Sequence, residues 1–173
     1  MKKVAYPLLA VVILVLSGFS AFKVQEWKIE DDFSIKFDSK DPSGKFSKFS
    51  GTIKFNENDL TNSKFDVTIP VSSINCGSNL QNRHAIGPNW FDAKKYPNIT
   101  YKSKSITKSE EGFMVTGTLK IRNIEKELSF PFTFKDETFE ASFTVDRRDF
   151  EIGDPTNHAS KELAMTVKVP VSK

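Results

Sequence analysis

Apolar side chains recur at every second position through most of the chain. Phe33, Ile35 and Phe37 keep that spacing, as do Phe65, Val67, Ile69 and Val71, then Phe113, Val115, Leu119 and Ile121. Leu128 to Phe134, Phe139 to Val145 and Leu163 to Val171 repeat it. Successive side chains of a strand point to opposite faces, so this period predicts strands with one face in a core. Trp27 and Ile29 precede the acidic pair Asp31–Asp32, which predicts two short strands or one strand bent there. Phe46 and Phe49 break the period, and a bulge or bend near Gly51 would keep both rings inside. Pro70 and Pro131 lie within strand patterns, where a missing N–H suits an edge or an unpaired side. Turn-forming clusters separate the runs, and no long 3.6-residue period occurs. The reading is all-β, about eight to ten antiparallel strands in a barrel or a sandwich. The last apolar run keeps its parity almost to Lys173, as a barrel's closing strand must when it pairs on both sides.

The alternation fails between Cys76 and Tyr101. Asn, Gly and Pro are frequent there, yet Leu80, Ile86, Trp90, Phe91 and Tyr96 are scattered among them. A polar linker has no need of such rings, so the stretch is expected to fold over something apolar with one or two short helical turns. Asp92 to Tyr96 suits one turn, ended by Pro97 before a strand near Ile99.

Composition sharpens this picture. The chain has 16 Phe, and only Phe19 and Phe22 fall at its beginning. Aromatic rings carry much apolar area, so the interior is either large and filled or partly hollow; counting leaves both open. Lys2 and Lys3, the apolar run Leu8 to Leu16 and the small residues Ser17, Gly18, Ser20 and Ala21 read as a signal peptide over 1–20, with a retained anchor as the alternative. The domain is then 21–173 and the protein periplasmic or secreted. The only cysteine, Cys76, is far from the N-terminus, which excludes an N-terminal lipobox and an internal disulfide. Removing 1–20 takes two of the 25 basic residues and none of the 22 acidic ones, so net charge falls from +3 to +1. Near-neutral charge without a basic block argues against nucleic acid as a partner.

Catalytic patterns are missing. Neither His84 nor His158 comes with a recognisable nucleophile and orienting acid. One Cys and two separated His do not form the usual zinc set. Cys76 is expected to be buried and inert, and Asp146–Asp149 a solvated cluster at a strand end, with an arginine ion pair that ties the Phe150 segment to the barrel end as the alternative.

Several blocks in register resemble the YceI-like, or polyisoprenoid-binding, family. They include Trp27–Ile29 with Phe33–Phe37, Gly44–Phe46 with Phe49–Phe55, Ser72–Ile74, His84, Trp90–Asp92 and Tyr96–Ser103. Val115–Arg122 and Arg147–Gly153 continue the match, which runs from about residue 27 to 171. The resemblance implies an extended eight-stranded antiparallel lipocalin-like barrel with a helical excursion, over Ser78 to Tyr96, between the fourth and fifth strands. It also implies a non-catalytic protein with a tubular apolar cavity for an isoprenoid or other amphiphilic lipid, such as an isoprenoid quinone or a polyisoprenoid. With strand parity, it nominates Phe33, Phe37, Phe65, His84, Trp90, Phe91, Phe130, Phe132 and Phe143 as ligand-binding, and no catalytic or metal residue. Transient membrane contact and a homodimer stay open, as does the alternative of a secreted interaction module with a filled barrel.

Overall fold

Eleven strands form one antiparallel sheet in the computed structural model, which describes residues 24–154, 156 and 158–173. They are β1 (Gln25–Ile29), β2 (Ser34–Asp38), β3 (Gly44–Phe46), β4 (Ser50–Phe55), β5 (Lys64–Pro70), β6 (Ile74–Asn75), β7 (Asn98–Ser109), β8 (Gly112–Ile121), β9 (Ile124–Lys135), β10 (Thr138–Asp146) and β11 (Glu162–Ser172). A short helix, α1 (Asn79–Ala85), lies between β6 and β7. The segment read as a signal peptide lies outside the described residues.

Eight strands close into a barrel in the order β1-β4-β5-β7-β8-β9-β10-β11, and β1 meets β11 through Lys28↔Ser172 and Ile29↔Val171. The other three extend the wall. After the turn at Asp31–Asp32, β2 runs on beside Ala164 to Lys168 of β11; β3 pairs with β2, and β6 with β3. β11 thus has a neighbour on each side along most of its length, as its unbroken parity required. The apolar positions of the alternating runs face inward, while their polar neighbours carry exposed ion pairs such as Lys104–Glu127 and Lys120–Glu125. Such surface pairs contribute little, about 0–1 kcal/mol each, so the interior holds the fold.

Two details differ from the pattern or complete it. Phe46 and Phe49 flank a bend at Ser47, not a bulge: the chain leaves β3 after Phe46 and starts β4 at Ser50, exchanging β2 and β6 for β1 and β5 as partners. The Ser47 N–H donates to the Ser73 carbonyl at 3.0 Å across this break. Gly51 has φ +141°, and a Cβ there would lie 2.2 Å from the Asp66 carbonyl oxygen, so only glycine lets β4 approach β5 so closely. Pro131 does leave one side of its strand unpaired. The β9–β10 ladder runs from Lys135↔Thr138 to Phe132↔Ala141 and stops there. Past it, Phe130 and Phe143 stack with centroids 4.3 Å apart and planes 19° from parallel, so rings rather than a hydrogen-bond ladder span the seam.

One end of the barrel is solid. Phe55, only 1% exposed, has ring centroids of Phe113, Phe134, Phe139 and Phe132 at 5.0, 5.2, 5.4 and 5.6 Å, mostly edge-to-face. Trp27 packs on Phe134 at 5.1 Å, and its indole N–H donates to the Phe55 carbonyl at 3.0 Å. Pairs of this geometry are worth about 0.5–1.5 kcal/mol each beyond their buried area.

Candidate functional site: an apolar cavity with a polar mouth

Above the aromatic floor the interior is hollow. A cavity of about 340 Å³ is enclosed by inward-facing residues of most strands, among them Phe37, Val67, Ile69, Leu163, Met165 and Val167. Its size falls in the range of about 300–1,000 Å³ typical of small-molecule sites. The rings that could have met at its centre lie instead along the wall or in the floor.

The mouth is built by three connections. The first is the excursion. The Ser78 hydroxyl accepts from the Gln81 N–H at 3.3 Å and caps α1, and the Asn82 side-chain oxygen accepts from the Cys76 N–H at 2.7 Å. Phe91 N–H then donates to Ala85 O at 3.0 Å, and Asp92 N–H to Gly87 O at 2.8 Å, folding the chain back over the helix end. Asp92 sits at φ +48°, and the Tyr96 N–H reaches its carbonyl at 2.8 Å: the single turn expected ahead of Pro97. The fold-back sets Phe91 edge-on to Phe46 at 6.5 Å. The second connection, between β2 and β3, supplies Asp41 and Pro42; the third, between β10 and β11, supplies Arg147, Ile152 and Ala159.

Of the nine nominated residues, the structure gathers Phe37, Phe130 and Phe143 on the wall, Phe65 and Phe132 at the floor, and His84, Trp90 and Phe91 at the mouth. Phe33 lies elsewhere, half-buried against Phe49 at 5.7 Å and outside the lining, because it falls in the break between β1 and β2. Cys76 is half-buried in the lining, not sealed away, and burial pushes its thiol pKa up. Tyr101 also lines the cavity. Its hydroxyl donates to Leu128 O at 3.1 Å, and burial, helped by the nearby Glu127 charge, pushes its pKa far above the usual tyrosine range. It therefore stays a neutral donor.

Arg147 corrects the expectation of a solvated cluster. Only 2% exposed, it donates from Nε to Ser160 O at 2.8 Å, from Nη2 to Ala159 O at 3.2 Å and from Nη1 to Ile152 O. Its guanidinium lies 5.6 Å from the Trp90 ring centroid, within the distance of a cation–π contact. It thus joins the third connection to the excursion. The signal was in the sequence: Phe139, Ala141, Phe143, Val145 and Arg147 continue one parity, so a charge stood on an inward position. Arg148 does stay exposed as expected and pairs with Asp146, which holds the Asp146 carboxyl below the usual range.

Polar groups on the cavity concentrate at the mouth, where Asp41, Gln81 and His84 are exposed. Among the described residues, no buried side-chain nitrogen or oxygen lacks a hydrogen-bond partner, and no cluster of three or more His, Cys, Asp or Glu could hold a metal. The wall therefore offers chiefly apolar contact and shape, interrupted by Tyr101 and, beside Phe139 and Ala141, by Glu140, and most polar groups lie at the rim.

A closed antiparallel barrel with this lining is suited to an apolar ligand. The chain belongs to the YceI-like domain family, whose model matches residues 21–172. Protein YceI of Escherichia coli O6:H1 is 26% identical over 136 residues, covering 73% of this chain and 71% of that protein. BcnA of Burkholderia cenocepacia superposes with a TM-score of 0.74 at 25% identity, over 87% of this chain and all of BcnA. A polyisoprenoid binding domain from Saccharophagus degradans superposes at 0.60 with 12% identity, over 85% of this chain and 97% of that domain, a likeness of fold alone.

Proposed function

We propose that this protein takes the apolar tail of an isoprenoid or other amphiphilic lipid into the barrel, with the head group at the rim formed by Asp41, Gln81 and His84. Carriage, storage or sensing outside the cytoplasm is the corresponding role, supported by the charged start, apolar run and small residues of 1–20. One observation carries the reading: the lining is mostly apolar along its wall and most polar at one mouth, so it matches a molecule with that same division. Each tail methylene left in water costs about 0.8 kcal/mol, which is why such a molecule needs a carrier between membranes. An isoprenoid quinone or a polyisoprenoid fits this description, and the polyisoprenoid binding named for the Saccharophagus domain lends it a precedent on the same fold.

The test is native mass spectrometry and lipid extraction on protein purified without detergent. A lipid held at one per chain is the expected result. Met165→Glu, which places a carboxylate in the half-buried wall, should release it while leaving the far-ultraviolet circular dichroism unchanged. The solid floor favours the other reading, an interaction module with a filled barrel. Protein that is always empty and takes up no prenyl alcohol in titration would establish that alternative.

A further inference from the structure

We infer that the tail site is blind-ended and that Phe55 sets its depth, so the protein selects amphiphiles by tail length and accommodates only a short tail in full. This rests on the proposed lipid-binding reading. At its deep end the lining consists of Ile53, Phe65, Phe132 and Phe139, with Glu140 and Ala141 beside them on β10; Phe55 and Phe113 lie beyond it, outside the cavity. Phe65, Phe132 and Phe139 touch the cavity on one side and Phe55 on the other, with centroids 6.3, 5.6 and 5.4 Å from the Phe55 ring. Those three also meet one another: Phe65 lies 5.3 Å from Phe132 and 5.6 Å from Phe139. A floor in which every ring is held by several others leaves no channel, and close-packed interiors yield little to a penetrating chain.

A tail that reaches this floor has nowhere to put its next carbon. Either the added carbon stays in water, or the head group is lifted off the rim. Affinity should therefore climb with tail length and then stop climbing. An open-ended tunnel would show no such break, because each carbon would continue to gain contact.

The experiment measures dissociation constants for saturated fatty alcohols from octanol to docosanol by native mass spectrometry, with the Trp90 fluorescence change as a second readout. Affinity is expected to rise about fourfold per methylene, the factor for burying one, up to a break well short of docosanol. Phe55→Leu removes the centre of the floor and should move the break to longer chains by about one or two carbons. Phe132→Leu, at the cavity face of the same floor, should move it likewise and serves if the first variant does not fold. Phe143→Leu, on the wall, should weaken every alcohol and leave the break in place. Affinity that continues to rise through docosanol, or a break unmoved in folded floor variants, overturns the depth limit while leaving lipid binding intact. Failure of every alcohol to bind defeats the binding reading itself.

Discussion

Gly117 occupies an inward position of β8, yet what it contributes is space. A Cβ there would fall 2.5 Å from the Lys102 carbonyl oxygen and 2.7 Å from the Tyr101 ring. Backbone cannot yield at that distance, so Gly117→Ala must push β7 or Tyr101 aside and strain the Leu128 hydrogen bond. The expected loss is about 1–3 kcal/mol, read as a lower urea midpoint; an unchanged midpoint would show that the wall relaxes freely. Cys76 offers a test of the mouth. Its raised pKa leaves less thiolate at any given pH below it, so alkylation by iodoacetamide should be slower than that of a free thiol of pKa about 8.5 and should accelerate at higher pH. A fatty alcohol in the cavity should slow it further, since Cys76 is part of the lining. A mass-spectrometric time course at several pH values checks both, and a free-thiol rate in the empty protein would contradict the first.

At the level of elements, the weak place in the ring is the boundary between β9 and β10. A prolyl nitrogen has no hydrogen to donate, and the ladder ends beside Pro131. The seam-facing amides of 124–130 and 142–146 should therefore exchange with deuterium ahead of those paired between β7 and β8, a much longer ladder. Exchange mass spectrometry resolves this, and equal protection across the two boundaries would show the seam to be as firm as the ladders. Proline parity made this feature legible beforehand, as alternation did for the strands themselves. The Phe46–Phe49 slip was less legible, because a bulge and a change of partner strand leave the same three-residue gap. Only the tertiary pairing distinguishes them. Phe33 shows the same limit: its parity is right, but it belongs to the corner of a strand that is broken.

For the molecule as a whole, periodicity points to an antiparallel barrel or sandwich but says nothing about whether its rings interlock or stand apart. Both arrangements put the same residues on the same face. The protein combines them, with a floor around Phe55 and a hollow above it, and that division depends on how far opposite strands separate at each level. The mouth was partly legible through its aromatics and His84. Arg147 is hidden in the sequence because its neighbours Asp146, Arg148 and Asp149 give it the look of a solvated run. The closure of the barrel has a consequence of its own. Glu30 and Ser172, 142 residues apart, share a hydrogen bond where the first strand meets the last. Chain entropy must be spent on joining these distant partners before their contact returns anything. Until they join, two bare strand edges stand open to any passing chain, and this interval of folding is when a chaperone would be of most use.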